Sequence, residues 1–420
     1  MLYDITFLML HLLLFLFNYR IMGRVVFHPS VLFSLVWFVA LLLHFICRFT
    51  LLPGLFTLSF STQLIFALGV MVFTIGAMLQ MSLFKFPTFA KTTFYNHDAL
   101  YFPLRAGLTL IIIAGLPFYI RASYQLFLTS QAEEFLTGLR QQISYGDVDI
   151  GPVKYLMTFS FIVFGINLYE YFRQKSLLNL SILLATTLVT LTYAVLSTGR
   201  TFFVFILLIF VGINYLNNKR VSIAKYSFLL VLFLMLFSLI GVVLGKGGST
   251  QSSVGENINE SASTTAIYFV SALSAYDVEQ KEISLPHYNG DNTLRFFVLL
   301  GQKIGLAKSK QATELTQSFV FIPYGTNVYT YYSPYSRDFG VGYALAVLFL
   351  ISLLSGWLYN KARTAGSLRY VLYYCFSLYP LTLSIFQDQY LSLLSTWIQI
   401  VLFLEIILFF DKILKSKQIG

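Results

Sequence analysis

Residues 177–216 read LLNLSILLATTLVTLTYAVLSTGRTFFVFILLIFVGINYL. Two apolar runs, 177–197 and 201–216, flank the four-residue break STGR. A helix needs roughly 17–25 apolar residues to cross about 30 Å of hydrocarbon, a length these runs meet or approach. They predict two membrane-spanning helices joined as a tight hairpin, with Arg200 in its turn.

The same length test finds further spans at 3–18, 29–47, 63–83, 102–120, 154–172, 225–245, 340–359, 370–386 and 391–410, eleven in all. The expectation is an all-α, polytopic membrane protein. Composition agrees, because 57% of the 420 residues are hydrophobic and 11% are charged. Soluble domains carry about a quarter charged residues, so a soluble globular fold is excluded. Cys47 and Cys375 lie in or beside different apolar segments and form neither a disulfide framework nor a zinc spacing. The opening MLYDITFLML lacks the basic start and small-residue cleavage site of a signal peptide, so the first run reads as a retained span.

A net charge of +10 is here a topology signal rather than a sign of nucleic acid. Arg20, Arg24, Lys85, Lys91, Arg173, Lys175, Lys219, Arg220, Lys225, Lys361, Arg363, Arg369, Lys412, Lys415 and Lys417 fall on one side of the eleven-span arrangement. By the positive-inside rule that side is cytoplasmic, with the N-terminus outside and the C-terminus inside. Two long segments, 121–153 and 246–339, then face outward. The chain divides into spans one to eight (1–245), a large external loop (246–339) and spans nine to eleven (340–420). Within the loop, 262–281 and 291–306 read as short amphipathic helices suited to the membrane surface.

Charged groups near hydrocarbon are costly, so basic residues on the outer side need a reason. Arg48, Arg121, Arg140, Arg200 and Arg337 qualify, as does Arg295 on the second loop helix. An exposed guanidinium suits phosphate through its planar fork of donors, against the alternative of an arginine snorkelling to lipid headgroups. Glu133, Glu134, Asp147, Asp149, Asp277, Glu279 and Glu282 read as solvated faces of loop elements. Asp338, just before Phe339 and Gly340, reads as an N-cap or dipole partner of span nine, with a general-base role as the alternative. His287, outside and without a partner at metal-ligand spacing, argues against a metal site and is a second candidate base. Tyr324, Tyr329, Tyr331, Tyr332 and Tyr335 crowd one loop, where ring faces and hydroxyl tips suit sugars as well as an interfacial belt.

TNVYTYYSPYSRDFGVGYALAVLFLISLLSGWLYNKAR (326–363) resembles the C-terminal signature of the Wzy-type polymerases, which join oligosaccharide repeat units into O-antigen or capsule. STGRT (197–201), NTLRFF (292–297), FHPSVLFSLVW (27–37) and Arg140 with Gly151 eleven positions on are similar to shorter elements of that family. No second copy of the arginine-to-glycine spacing starts at Arg295 or Arg337. The related O-antigen ligases place a histidine about ten residues before a loop-ending glycine, where this chain has Tyr329 and Thr330 before Gly340. That departure favours polymerase over ligase.

The resemblance implies a metal-independent glycosyltransferase of the C-type membrane architecture, without cofactor, at the periplasmic face of the bacterial inner membrane. Donor and acceptor would both be glycans on undecaprenyl pyrophosphate, and a chain-length regulator would be a partner. Arg200 would act catalytically, and the general base is left open among Asp338, His287, Tyr329 and a loop carboxylate. Arg140, Arg295 and Arg337 would contact pyrophosphate, and Tyr329, Tyr331 and Tyr332 would shape the sugar site. A lipid-linked oligosaccharide flippase is disfavoured, because the spans carry few charges and show no symmetric halves.

Overall fold

Backbone polar groups in hydrocarbon find no water, so a spanning segment must bond within itself, and the helix does this. The computed structural model describes residues 2–83, 99–145, 150–217, 254–282, 289–306, 313 and 318–419. In chain order its helices are α1 (Leu2–Ile21), α2 (Pro29–Phe49), α3 (Phe60–Leu83), α4 (Phe102–Leu128), α5 (Phe135–Tyr145), α6 (Tyr155–Arg173), α7 (Leu177–Leu196) and α8 (Thr201–Asn217). Then come α9 (Val254–Lys281), α10 (Arg295–Lys303), α11 (Tyr332–Phe339), α12 (Val341–Ala365), α13 (Leu368–Thr382) and α14 (Leu394–Ile419). Among the described residues the only strands are β1 (Val320–Phe321) and β2 (Gly325–Thr326), a two-stranded antiparallel ribbon. Helix starts follow local chemistry. Pro29 occupies the first turn of α2, where its missing N–H is not needed, and Ser176 accepts from the Asn179 N–H to cap α7.

This is a polytopic membrane protein. Among the described residues seven helical segments are long and apolar enough to cross a membrane: α1, α2, α3, α4, α6 with its preceding 3-10 turn, α7 and α12. The expected spans at 201–216, 370–386 and 391–410 coincide with α8, α13 and α14, of 17, 15 and 26 residues. The expected span at 225–245 lies outside the described residues, as do His97, His287, Asp147, Asp149, Lys85, Lys91, Lys219, Arg220 and Lys225.

The chain divides into two compact units. The first comprises Met1–Pro87, Ser253–Asn360 and Ser377–Ser395, and the second comprises Thr88–Ser252, Lys361–Phe376 and Thr396–Gly420. In the first, α2 and α3 meet through stacked Phe33 and Phe73 (4.3 Å) and through Trp37 and Phe66 (4.7 Å). Asn18 ties α1 to α3 by donating to Thr74 Oγ1 at 2.9 Å. Two glycines make the other face of α3 smooth. A Cβ on Gly69 would lie 1.6 Å from the Tyr332 hydroxyl oxygen, and one on Gly76 would lie 1.8 Å from Ser352 Oγ. Small residues let helices in a membrane approach closely, and here they admit a tyrosine and α12.

The loop helix at 262–281 departs from expectation. It belongs to the 28-residue α9, and Val270 to Asp277 are all buried, so it is a core helix rather than one lying on a surface. Its small residues explain this. Ser271 hydrogen-bonds Thr326 Oγ1 and Ser274 hydrogen-bonds His44 Nε2, so the face that read as polar is satisfied by protein. The helix α10 keeps an exposed apolar side at Phe297 and Leu300.

In the second unit, Asn167 on α6 donates to Thr109 on α4 (3.1 Å) and to Thr186 on α7 (2.8 Å). Tyr193 on α7 donates to the Ile112 carbonyl of α4 at 2.9 Å. Glu170 accepts from the Leu100 N–H and pairs with Arg173 at 2.8 Å.

The close approach at α3 is testable by substitution. Gly69→Ala is expected to cost about 1–3 kcal/mol through overpacking against the fully buried Tyr332. Gly107→Ala, where a Cβ meets nothing within 4 Å, should leave stability unchanged or slightly raised. Thermal unfolding of the purified variants in one detergent distinguishes the two sites.

Candidate functional site

The polar residues of interest in the first unit lie on α9, on the coil leading into α10, and on α11. Each carboxylate there must find donors, since burial without them is costly. Asp338 illustrates this. Its Oδ1 accepts from the Asn292 N–H (3.2 Å) and Nδ2 (2.9 Å), and its Oδ2 accepts from the Thr293 N–H (2.7 Å) and Oγ1 (2.6 Å). It sits inside α11 rather than at the start of α12, so it does not cap that span. Instead it pins the NTLRFF stretch. Gly290 helps, because its left-handed φ of 95° turns the chain into this position.

Asp277 and Glu279 are buried, contrary to their reading as solvated loop residues. The two lie on α9 and are held differently. Asp277 accepts from the Ser59 N–H at 2.8 Å and Oγ at 2.5 Å, and pairs with Lys281 at 2.5 Å. Burial pushes its pKa up, but these hydrogen bonds outweigh burial and leave it below the ordinary value. Glu279 is 4% exposed, and its Oε2 accepts from Ser333 Oγ (2.7 Å) and Arg337 Nη2 (3.2 Å). Burial dominates there and holds the carboxyl above its usual range, with Arg337 and Ser333 pulling it back. The Arg337 guanidinium also lies over the Tyr329 ring, 5.3 Å from its centroid. Arg337, Tyr329, Ser333 and Glu279 thus form one group.

The tyrosines are less available than the sequence suggests. Tyr331, Tyr332 and Tyr335 are fully buried. Tyr332 packs edge-on to Trp37 at 5.4 Å and beside Tyr276 at 5.8 Å, and Tyr331 lies 4.8 Å from Tyr335. Protein rings already occupy the faces that were expected to meet sugars. Tyr329 is also buried, and it donates to the Ser318 carbonyl at 3.1 Å. Arg295, half-buried, donates its Nε–H to the Thr313 carbonyl at 2.6 Å.

Arg200 and Arg140 belong to the second unit. Arg200 is 2% exposed, so it is not the open surface guanidinium the sequence predicts. The tight turn is the reason. Arg200 immediately precedes α8, which packs along α6 and α7, and its side chain is engaged within the protein. Thr198 in the same turn has a left-handed φ of 55°, unfavourable for a β-branched residue by about 1–3 kcal/mol. Arg140 is half-buried on α5, and Gly151, with a φ of 69°, opens the 3-10 turn before α6. Of the other outward candidates, Arg121 is exposed, while Arg48 pairs with Asp4 at 3.1 Å. Asp4 in turn accepts from Gln63 at 3.0 Å.

One acidic residue that no motif marks joins the tyrosines. Asp388 is buried in the coil between α13 and α14, accepts from the N–H groups of Tyr390 (2.9 Å) and Ser392 (2.7 Å), and faces Tyr331 and Tyr335. Its signal is faint: an Asp in a short break between apolar runs.

With this geometry in place, comparison with known proteins adds the family context. Over 207 residues the chain is 29% identical to a Shigella dysenteriae protein named O-antigen polymerase, covering 49% of this chain and 50% of that protein. It is a distant relative of O-antigen polymerases. A second relative, named putative O-antigen polymerase, from Escherichia coli strain K12, is 24% identical over 156 residues, 37% of each chain. The matches thus span half or less of the length of these curated relatives. No family model matches the chain, and no solved structure matches it.

The Asp338 contacts yield a direct expectation. Asp338→Ala leaves four donors unmet, the two on Thr293 in buried hydrogen bonds, and should cost about 2–6 kcal/mol, since each buried unmet group costs about 1–3 kcal/mol. Hydrogen exchange should quicken across 289–306 and little elsewhere. Unchanged protection there would show that Asp338 does not hold the segment.

Proposed function

We propose that this protein joins oligosaccharide repeat units carried on undecaprenyl pyrophosphate into an O-antigen or capsule-type polysaccharide at the periplasmic face of a bacterial inner membrane. The observation that carries this reading is the similarity to proteins named O-antigen polymerase. Eleven spans, with the N-terminus periplasmic and the C-terminus cytoplasmic, put the 246–339 loop on the side where such lipid-linked units are joined. The C-type glycosyltransferase architecture and a chain-length regulator as partner belong to the same reading.

The reaction is a displacement. A hydroxyl oxygen of the acceptor glycan attacks the anomeric carbon of the donor glycan, its proton is taken up, and the bond to undecaprenyl pyrophosphate breaks with the electron pair leaving on phosphate. Charge develops on that phosphate oxygen, and fixed guanidinium groups meet it without a metal. Arg200 is assigned a phosphate contact within the second unit, where Arg140 also lies, and Arg295 and Arg337 are the phosphate candidates of the first. The buried Tyr329, beneath the Arg337 guanidinium, and the buried Tyr331 and Tyr332 are assigned to shaping the sugar site from within the core rather than to stacking on the sugar.

Deleting the gene separates polymerase from ligase. Loss of a polymerase leaves single repeat units attached to lipid A core, whereas loss of a ligase leaves polymer on undecaprenyl pyrophosphate. Complementation with Arg200→Ala is expected to restore protein in the membrane but no long-chain glycan on a polysaccharide gel. Normal chain lengths in that strain would overturn the assignment of Arg200.

A further inference from the structure

The carboxylates of the 254–339 segment are not equally occupied. Asp338 spends both oxygens on four donors, and Asp277 spends both on Ser59 and Lys281. Glu279 takes both of its bonds on Oε2, while Oε1 is buried and accepts no hydrogen bond. A buried acceptor without a donor is costly, and a ligand group would recover that cost by filling it. A carboxylate oxygen can only accept, so the missing group is a donor, and a hydroxyl fits.

We propose that Glu279 Oε1 takes the proton from the attacking hydroxyl of the acceptor sugar, an inference that rests on the polymerase reading above. The O–H bond of the acceptor breaks and its proton passes to Oε1. The freed oxygen pair forms the bond to the donor's anomeric carbon, and the carbon–oxygen bond to undecaprenyl pyrophosphate breaks toward phosphate. The carboxyl then gives its proton to water or to the departing pyrophosphate. Arg337 couples the two substrates. It is the more exposed member of its ion pair, with its side chain 12% exposed against 2% for Glu279. When the donor pyrophosphate draws its guanidinium outward, Glu279 is uncovered and loses the cation that holds it ionised, so it becomes a stronger base once the donor is in place. The other ionisable groups that act on it are Tyr329, from the coil before α11, and Tyr276 and Glu282, from α9 itself.

Burial holds the Glu279 carboxyl above its usual range, so polymerisation should rise with pH as this group ionises, on a limb above the ordinary carboxylate range. The test uses the full chain in lipid nanodiscs, with undecaprenyl-pyrophosphate-linked repeat units extracted from the source bacterium lacking this gene. Polymer is followed on gels across a pH series, and undecaprenyl pyrophosphate binding is measured separately. Glu279→Gln is expected to slow polymerisation about 10²–10⁴-fold while binding undecaprenyl pyrophosphate at least as tightly as the natural protein, because Arg337 is released from its ion pair. Glu279→Asp should retain a measurable rate with its pH limb displaced. A Glu279→Gln rate within about tenfold of the natural protein, far short of a general base's contribution, overturns the proposal. If Glu279→Gln fails to fold, Glu279→Asp decides, and an unmoved pH limb in it overturns the proposal. If the natural protein makes no polymer from these units, the polymerase reading itself fails and this assignment falls with it.

Discussion

An ionised group taken out of water has to be met by protein donors, and that requirement organises the segment between residues 254 and 339. Asp338 collects four donors from Asn292 and Thr293, and in doing so fixes where α10 begins. Asp277 draws the start of α3 to α9 through Ser59. Glu279 joins α9 to α11 through Ser333 and Arg337. A loop of this length could be loosely attached to its membrane helices. Three carboxylates tie its described helices into the same core.

The helices make room for that core through small residues. Gly69 leaves space for the Tyr332 hydroxyl, and Gly76 lets α12 come close at Ser352. Trp37 then serves two neighbours, packing on Tyr332 and donating to Ser384 Oγ at 3.2 Å. The Tyr331 N–H donates to the Ser384 carbonyl at 2.8 Å, so the break between α13 and α14 is stitched to the residue that precedes α11. Asp388 lies in that same break and supplies a buried acid beside Tyr331 and Tyr335. A stretch that reads as a mere connection between two apolar runs is therefore a structural wall of the candidate site.

The second unit follows a different economy of polar groups. Asn167, Thr109 and Thr186 tie three helices at one level, and Tyr193 reaches the Ile112 carbonyl at another. The hairpin turn buries Arg200, with Thr198 in a backbone conformation that a threonine adopts only when its surroundings impose it.

Apolar run length was enough to locate the membrane helices, because hydrocarbon thickness fixes a minimum length and the backbone has no alternative to bonding within itself. It located α1 to α4, α6 to α8 and α12 to α14, and the hairpin turn at 197–200. Exposure was not legible. Arg200, Glu279 and the tyrosines after Tyr329 look accessible in a one-dimensional reading, since polar side chains in loops usually face water. Whether a polar group meets water or protein depends on residues far away in the chain, such as Trp37 for Tyr332, Arg337 for Glu279 and Asn292 for Asp338. The sequence by itself determined that this chain lives in a membrane and roughly where it crosses. Only the tertiary structure decided which carboxylates are spent on holding the fold and which keeps an oxygen free, because hydrogen-bond partners are set by proximity in space and not by spacing along the chain.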